Sequence, residues 1–340
     1  MDFTLSEDQE LLRDTARSLF SKECPTSLVR AHADDPSVAD GLDKRLREFA
    51  GLADAPLADL CLFLEEAGAA LAPGRFFPTT ALFAPLLRAI DHPLLADVVA
   101  GDATGTVAVA GRDGVWAAHA EPVKSYVPEG ERVDHVAVVH DGGVAGPSVM
   151  VLSRPQVQPL PTVDTSRRLC ELDLDAIDVA SGAIDGPHPL PPAAVAAVME
   201  RAAVALAAEL LGTSRWMFET TLAYAKQREQ FDRPIGSFQA IKHKLANMAL
   251  AHERASSAVY YAAMAIDAGD ADRQRAAHVA KAAAGEAARL SAKDGIQIHG
   301  GIGYTWDHDL HLFIRRAYAS EYLLGDTAWH HDQLAALLLD

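Results

Sequence analysis

Residues 224–231 read YAKQREQF, and the same half of the chain carries FQAI at 238–241, QIHGGIGY at 297–304 and LGDT at 324–327. The sequence around these motifs is rich in alanine and places apolar residues at helical spacing. Between 238 and 268 the apolar residues are Ile241, Leu245, Met248, Ala255, Val259, Ala262 and Ile266. One apolar face per helix is typical of an antiparallel bundle. The sequence predicts four long helices, at roughly 193–227, 238–268, 271–299 and 309–338.

The part of the chain before this bundle has two regions with different sequence patterns. Residues 4–100 are predicted to be helical and begin at a capping box, Ser6 to Gln9. From about 103 to 184, short β-branched runs alternate with glycine and proline, which favours antiparallel strands. The runs lie at 107–109, 136–139 and 149–152, with a half-buried segment at 172–175.

These sequence patterns predict an α+β, mostly α protein in three parts. They are an N-terminal helical domain at 1–102, a reduced β-domain at 103–185 and a C-terminal helical bundle at 190–340. The stretch from Gly182 to Pro192 is rich in glycine and proline and is interpreted as a linker.

Composition excludes several classes of function. A net charge of −17 disfavours non-specific nucleic-acid binding, which depends on basic surface. No apolar run reaches the length of a membrane span, and the first residues lack the basic segment of a signal peptide. We therefore expect a cytoplasmic protein without a membrane span. The three cysteines, Cys24, Cys61 and Cys170, are widely spaced and are expected to be buried thiols.

Two motifs carry groups suited to an anionic ligand. Arg228 lies where a predicted helix gives way to a loop, and a guanidinium there can fork across two phosphate oxygens. Gln297 precedes Gly300 and Gly301, whose bare backbone lets a ligand approach main-chain N–H groups. Each motif also has a plain structural interpretation. The arginine can satisfy its own helix end, and the glycines can form a helix cap.

Two groups of histidines and aspartates could suggest a metal. They are His308, Asp309 and His311, and further along His330, His331 and Asp332. Neither group has the i, i+4 histidine pair with a carboxylate that forms a zinc-binding helix face. We interpret them as helix caps, with Asp309 at a helix start, and as surface histidines. The sequence predicts no metal site.

Taken in order, the four motifs resemble the C-terminal helical half of the acyl-CoA dehydrogenases, which are flavoproteins. The resemblance covers nearly the whole chain and is strongest over residues 200–330. It implies an N-terminal helical domain, a small antiparallel β-domain and a C-terminal four-helix bundle. In that family the arginine of R-x-x-F and the Q-x-x-G-G turn bind the pyrophosphate and adenosine end of an FAD held mainly by the neighbouring subunit. Here that role falls on Arg228, Phe231, Gln239, Gln297, Gly300 and Gly301.

The chain departs from the resembled family at the catalytic glutamate. These enzymes desaturate an acyl-CoA with a carboxylate that takes the α-proton, while the flavin accepts the β-hydride. The glutamate usually begins an E-G-T triplet, and an ungapped alignment places Leu324 there. Other members place it where this chain has Ala202 or Ala203. Glu200 and Asp326 lie nearby but displaced, and each is more typical of a solvated or capping carboxylate.

The β-domain also lacks two runs that the family uses to hold the flavin ring and the thioester, one like T-E-P-x-A-G-S-D and one like W-x-T-N-G. The nearest remnants are Gly114–Trp116 and Val123–Val127. The resemblance therefore implies the short subunit of an α2β2 enzyme, as in actinobacterial steroid side-chain breakdown. A longer acyl-CoA dehydrogenase subunit would supply the base, an acyl-CoA would be the substrate, and electron-transfer flavoprotein would be the acceptor.

Two alternatives stay open. A self-sufficient homo-oligomeric dehydrogenase would use a displaced base such as Glu200 or Asp326. A purely structural subunit would bind no flavin and would only stabilise its partner.

Overall fold

The structure, a computed structural model, describes residues 4–117, 120–141, 143, 146–177 and 184–339. The chain forms two compact units. The first comprises Met1–Val29, Leu57–Ala72 and Ala203–Asp340, and the second comprises Arg30–Pro56 and Pro73–Ala202. The three-part division at 1–102, 103–185 and 190–340 stays a prediction.

The helices lie close to their predicted places. They are α1 (Glu7–Glu23), α2 (Thr26–His32), α3 (Asp40–Leu46), α4 (Leu57–Ala69), α5 (Ala84–Ala89), α6 (Leu95–Ala100), α7 (Pro192–Gln227), α8 (Gln239–Asp267), α9 (Arg273–His299), α10 (Leu310–Tyr322) and α11 (Thr327–Leu339). The capping box at Ser6 and Gln9 is confirmed. The fourth long helix was wrong as a single element, because Leu324 (φ 62°) and Gly325 (φ 92°) adopt left-handed conformations that end α10 before α11 begins.

The first unit is a helical bundle whose helices approach closely at glycines. A Cβ on Gly68 of α4 would lie 2.0 Å from the carbonyl oxygen of Glu209, and one on Gly212 of α7 would lie 1.8 Å from that of Glu65. Only glycine permits this crossing. A small apolar cluster that includes Leu211, Ala255, Ala283 and Ala287 joins α7, α8 and α9. This packing fixes the ends of the helices that carry the motifs.

The second unit holds two small sheets. The strands are β1 (Gly105–Ala108), β2 (Val123–Pro128), β3 (His135–Asp141), β4 (Pro147–Ser153), β5 (Gln158–Leu160), β6 (Leu169–Asp173) and β7 (Ile184–Pro189), with order β1-β3-β4-β7 in one sheet and β2-β6-β5 in the other. One buried cluster contains Val136, Leu152 and Leu172, so residues of both sheets share a core. The predicted small antiparallel β-domain is confirmed, with one parallel pair, β1 and β3.

The predicted linker was wrong over Ile184–Pro189, because β7 pairs there with β4. Residues 178–183, including Gly182, lie outside the described residues. Two further short strands, β8 (Glu229–Gln230) and β9 (Arg233–Pro234), form a hairpin between α7 and α8.

Two further features of the structure concern membrane-spanning helices and the cysteines. In the part that the structure describes, the helices are all too short or too polar to cross a membrane. Cys24, Cys61 and Cys170 are buried thiols, as predicted.

Candidate functional site

The ends of α7 and α9 meet at an aromatic contact. The ring of Tyr224 stacks on that of His299 with the centroids 4.4 Å apart, and the tyrosine hydroxyl donates to the His299 carbonyl oxygen at 3.4 Å. Ala225, Leu245 and Ile298 belong to one apolar cluster below it. The motif residues follow directly at these helix ends, so this contact brings them to one end of the bundle.

Arg228 has a fixed backbone and an exposed side chain. Its N–H donates to the carbonyl oxygen of Tyr224 at 2.8 Å, and its carbonyl accepts from the N–H of Ile235 at 2.8 Å. Among the described residues, its guanidinium makes no ion pair and no hydrogen bond, so it does not satisfy its own helix end. A cation is left without a counter-charge on a strongly acidic chain.

Phe231 lies at the tip of the β8–β9 hairpin. It has a φ of 55° and is 86% exposed, and the next residue, Asp232, also has a positive φ of 61°. Such conformations are uncommon for residues other than glycine. The edge of Phe238 faces Phe231 at 6.1 Å, and the Arg233 guanidinium lies 4.2 Å from the Phe238 ring centre. The turn therefore holds Phe231 outward.

The remaining motif residues line the same end of the bundle. Gln239 is the first residue of α8, and Gln297 lies in the last turn of α9; both are exposed. Gly300 ends α9 with a φ of 62°. Among the described residues, and apart from the adjoining backbone, no atom lies within 4 Å of where a Cβ would stand on Gly300 or on Gly301. The backbone of this turn is open to an approaching group.

Sequence reasoning quoted His299 within a motif but gave it no role. Its Nδ1 lies 2.8 Å from the carbonyl oxygen of Gly295 and must donate to it, so Nε2 of the neutral ring is an acceptor. Nε2 is buried and has no hydrogen-bond partner among the described residues. Burial lowers the pKa of His299, which keeps the ring neutral beneath Tyr224. The i, i+4 relation of Gly295 and His299 could have indicated this tautomer.

Leu324, which the motif resemblance predicts to stand at the position of the family's usual glutamate, lies in a turn that is held from α9. Leu324 is buried, with 3% of its surface exposed. Lys281, which is 1% exposed, donates from Nζ to the carbonyl oxygens of Glu321 and Gly325, each at 2.8 Å. Burial lowers the pKa of Lys281 to about 7. We name residues 321–330 the latched turn.

Two hydrogen-bonded histidines, His278 of α9 and His330 of α11, also hold the latched turn. The Nε2 of His330 donates to the carbonyl oxygen of Leu324 at 3.1 Å, so in the neutral ring Nδ1 accepts from Nδ1 of His278, 2.8 Å away. Burial, aided by the charge of Lys281, lowers the pKa of His330 to about 3. The interpretation of His330 as a surface histidine was wrong, because it is 1% exposed. Its sequence neighbour His331 is exposed.

The start of α10 also differs from the prediction. Asp309 makes no side-chain capping bond there. Instead, the N–H of Leu310 donates to Nδ1 of His308 at 3.1 Å. A histidine ring nitrogen can therefore replace the expected aspartate as the cap.

The carboxylates of Asp326 and Glu321, close to Leu324 in sequence, accept hydrogen bonds from backbone N–H groups. Asp326 accepts from the N–H of Trp329 at 2.8 Å and caps α11, the role that the sequence indicated. Glu321, which sequence reasoning missed, is buried and accepts from the N–H of Thr327 at 3.2 Å. Glu200 lies near the start of α7, far along the helix from Arg228. A base must be free to face a substrate carbon, and the capping bonds of Asp326 and Glu321 hold them in other roles.

Comparison with known proteins matches this geometry to a family. Residues 193–339 match the family model described as the acyl-CoA dehydrogenase C-terminal domain. The chain is 33% identical to acyl-CoA dehydrogenase IpdE2 of Mycobacterium tuberculosis over 335 residues, which cover 94% of each chain. The chain belongs to the acyl-CoA dehydrogenase family. Members of this family are FAD flavoproteins.

The chain is also similar to two further proteins. FadE34 of Mycobacterium tuberculosis is 34% identical over 94% of this chain, but the match covers only 46% of FadE34. The solved structure of a variant of the Tcur3481-Tcur3483 steroid ACAD aligns with this chain at a TM-score of 0.85 and 26% sequence identity. The alignment covers 99% of each chain. The resemblance stated from the motifs is confirmed at the level of family and fold.

Proposed function

We propose that this chain is a subunit of a heteromeric, FAD-dependent acyl-CoA dehydrogenase and that it contributes contacts to the FAD diphosphate while a partner supplies the base. One contrast carries the proposal. The turn at the predicted base position holds the buried apolar Leu324, whereas Arg228 presents an exposed guanidinium that has no ion-pair partner in the part of the chain that the structure describes. Leucine cannot take a proton, and an unpaired guanidinium suits a phosphate.

The residues at the Tyr224–His299 end fit a diphosphate-bearing cofactor. The Arg228 guanidinium can form two parallel bonds to phosphate oxygens, and the open backbone at Gly300 and Gly301 admits a ligand. FAD, when bound, supplies the acceptor for the β-hydride. On this proposal the chain would hold its diphosphate end, through Arg228, Phe231, Gln239, Gln297, Gly300 and Gly301.

The partner in this proposal is a longer acyl-CoA dehydrogenase chain in an α2β2 complex. The length of FadE34 supports it, because a relative about twice as long is expected where two such chains are joined in one. The two component names of the Tcur3481-Tcur3483 steroid ACAD support it as well. That relative also favours a steroid side-chain CoA as substrate. Electron-transfer flavoprotein is the expected electron acceptor.

The test locates the base. This chain is co-expressed with its longer partner, and turnover is measured for the complex carrying Glu200→Gln or Asp326→Asn here, or glutamine in place of the partner's base. We expect each variant of this chain to keep turnover within about twofold and the partner variant to lose it. Loss of turnover with Glu200→Gln or Asp326→Asn while flavin stays bound would contradict the proposal and favour a self-sufficient enzyme with a displaced base.

A further inference from the structure

Three side chains with metal-binding atoms lie together in the second unit, whereas the motifs belong to the first. His92 lies in the turn between α5 and α6, and Asp185 and His188 lie on β7. Nε2 of His92 lies 3.1 Å from one carboxylate oxygen of Asp185, and Nε2 of His188 lies 3.2 Å from the other. The three donor atoms lie within 4.8 Å of one another.

The irregular path of β7 puts its two ligands on one side. Residues three apart on a regular strand point to opposite faces. Here the register shifts, since Val149 pairs with His188 but Val151 pairs with Asp185, which gives β7 one extra residue. Gly186, with a φ of 117°, lies in this bulge, and a Cβ on it would lie 2.7 Å from the Val149 carbonyl oxygen. The bulge therefore requires glycine and turns both side chains toward His92.

We propose that His92, Asp185 and His188 bind a divalent transition-metal ion of the zinc class. Two imidazole nitrogens and one carboxylate oxygen suit Zn²⁺, whereas Mg²⁺ and Ca²⁺ prefer oxygen ligands throughout. Ligands about 2.1 Å from a tetrahedral ion lie about 3.4 Å from each other. Each histidine Nε2 is already close to that distance from one of the two Asp185 oxygens, and the three donor atoms, within 4.8 Å of one another, need only a small adjustment. Three protein ligands leave the fourth position for water.

The surroundings favour a cation and allow it to enter. Asp185 is exposed over 62% of its side chain, and His92 lines an open surface groove together with Asp54 and Asp91. The whole chain carries a net charge of −17. An ion at this place would tie the turn between α5 and α6 to the edge strand β7.

Binding at His92 changes one hydrogen bond. The N–H of Leu94 donates to Nδ1 of His92 at 3.2 Å, so the neutral ring carries its hydrogen on Nε2, facing Asp185. An ion at Nε2 requires the hydrogen to move to Nδ1, with no net release of a proton from this ring. The Leu94 N–H then loses its acceptor. This hydrogen bond, at 3.2 Å, is at the long end of the range for N–H donors, so its loss costs little free energy.

The experiment uses the full chain without a polyhistidine tag, stripped with a chelator and titrated with Co²⁺ while its visible absorption is recorded. Zn²⁺ competition and thermal unfolding follow. We expect one Co²⁺ per chain, displaced by Zn²⁺, and a higher unfolding temperature with metal. Asp185→Asn and His188→Ala should each weaken binding at least about tenfold, because the first removes the negative charge of the carboxylate ligand and the second removes an imidazole ligand.

The control is His331→Ala, which alters an exposed histidine 3.7 Å from the carboxylate of Glu286 and should leave Co²⁺ binding unchanged. Asp185→Asn keeps the size of an exposed side chain, and circular dichroism checks that the variants are folded. Absence of one bound equivalent at micromolar Co²⁺ would overturn the proposal. So would binding that is unchanged in both Asp185→Asn and His188→Ala, and the cluster would then be only a hydrogen-bonded tie.

Discussion

Two regions along α9 differ in whether their polar groups are paired within the protein. At its C-terminal end, Gln297 and Gly300 join Arg228 at a surface where, among the described residues, the guanidinium has no protein partner and the space beside the glycine backbone is open. Nearer its start, Lys281 and His278 are buried and bonded to the latched turn. The first region is complementary to an outside anion, and the second is closed on itself. On the proposed function, the first region would be the ligand-contacting half of the family's site, kept in a chain that has Leu324 at the predicted position of the base.

The largest expected effect concerns the open region. Arg228→Ala combined with Gln297→Ala, in the complex with the partner, should weaken FAD binding roughly a hundredfold, because a hydrogen bond to a charged group contributes about 1.5–3 kcal/mol. Flavin per complex, measured by absorbance after dialysis, checks this.

The matched control is Arg254→Ala, which removes an exposed arginine of α8 that pairs with Glu286. It should leave flavin content unchanged. Normal flavin content in the Arg228 and Gln297 double variant would remove the distinction between the two regions and support a structural subunit that binds no flavin.

The next effect concerns the latched turn. Lys281→Met should lower the free energy of unfolding by about 2 kcal/mol, because the carbonyl oxygens of Glu321 and Gly325 lose their donor inside the protein. Urea unfolding of the chain measures it. Lys293→Met, at an exposed position of the same helix, is the control and should change little. Equal effects of the two substitutions would show that the turn is not held by Lys281.

The smallest effect is a dependence on pH. The pKa of His330 is lowered to about 3 in the folded chain, so below about pH 6.5 the unfolded chain binds the extra proton. The stability that this histidine contributes is complete above pH 6.5 and is lost as the pH falls toward 3. His330→Gln should reduce the loss of stability between pH 7 and pH 5.5 by about 1 kcal/mol, as measured by urea unfolding. The same slope in His330→Gln and in wild type would contradict the assignment, and His331→Gln is the control.

The sequence predicted α7, α8 and α9 well because their apolar residues recur at helical spacing without interruption. It failed at residues 323–326, because only Gly325 hints at a break and a leucine at positive φ is unexpected. Lys281 holds this turn from more than 40 positions away in the chain, a distance that local patterns do not span.

The same limit explains what was missed elsewhere. Ile184–Pro189 has the glycine and prolines of a linker, and only pairing with β4 makes it a strand. The cluster of His92, Asp185 and His188 has no motif spacing, because the fold brings together residues of two distant segments. By contrast, the positions of Arg228, Gln239 and Gln297 at helix ends followed from the predicted bounds of the helices.

The most direct test of a shared site is the visible spectrum of this chain purified alone, followed by anaerobic addition of an acyl-CoA. The account predicts little or no flavin and no bleaching, and a yellow, active complex when the chain is co-expressed with its longer partner. Near-stoichiometric flavin on the chain alone that bleaches with the acyl-CoA would contradict it, because the chain would then hold a complete active site.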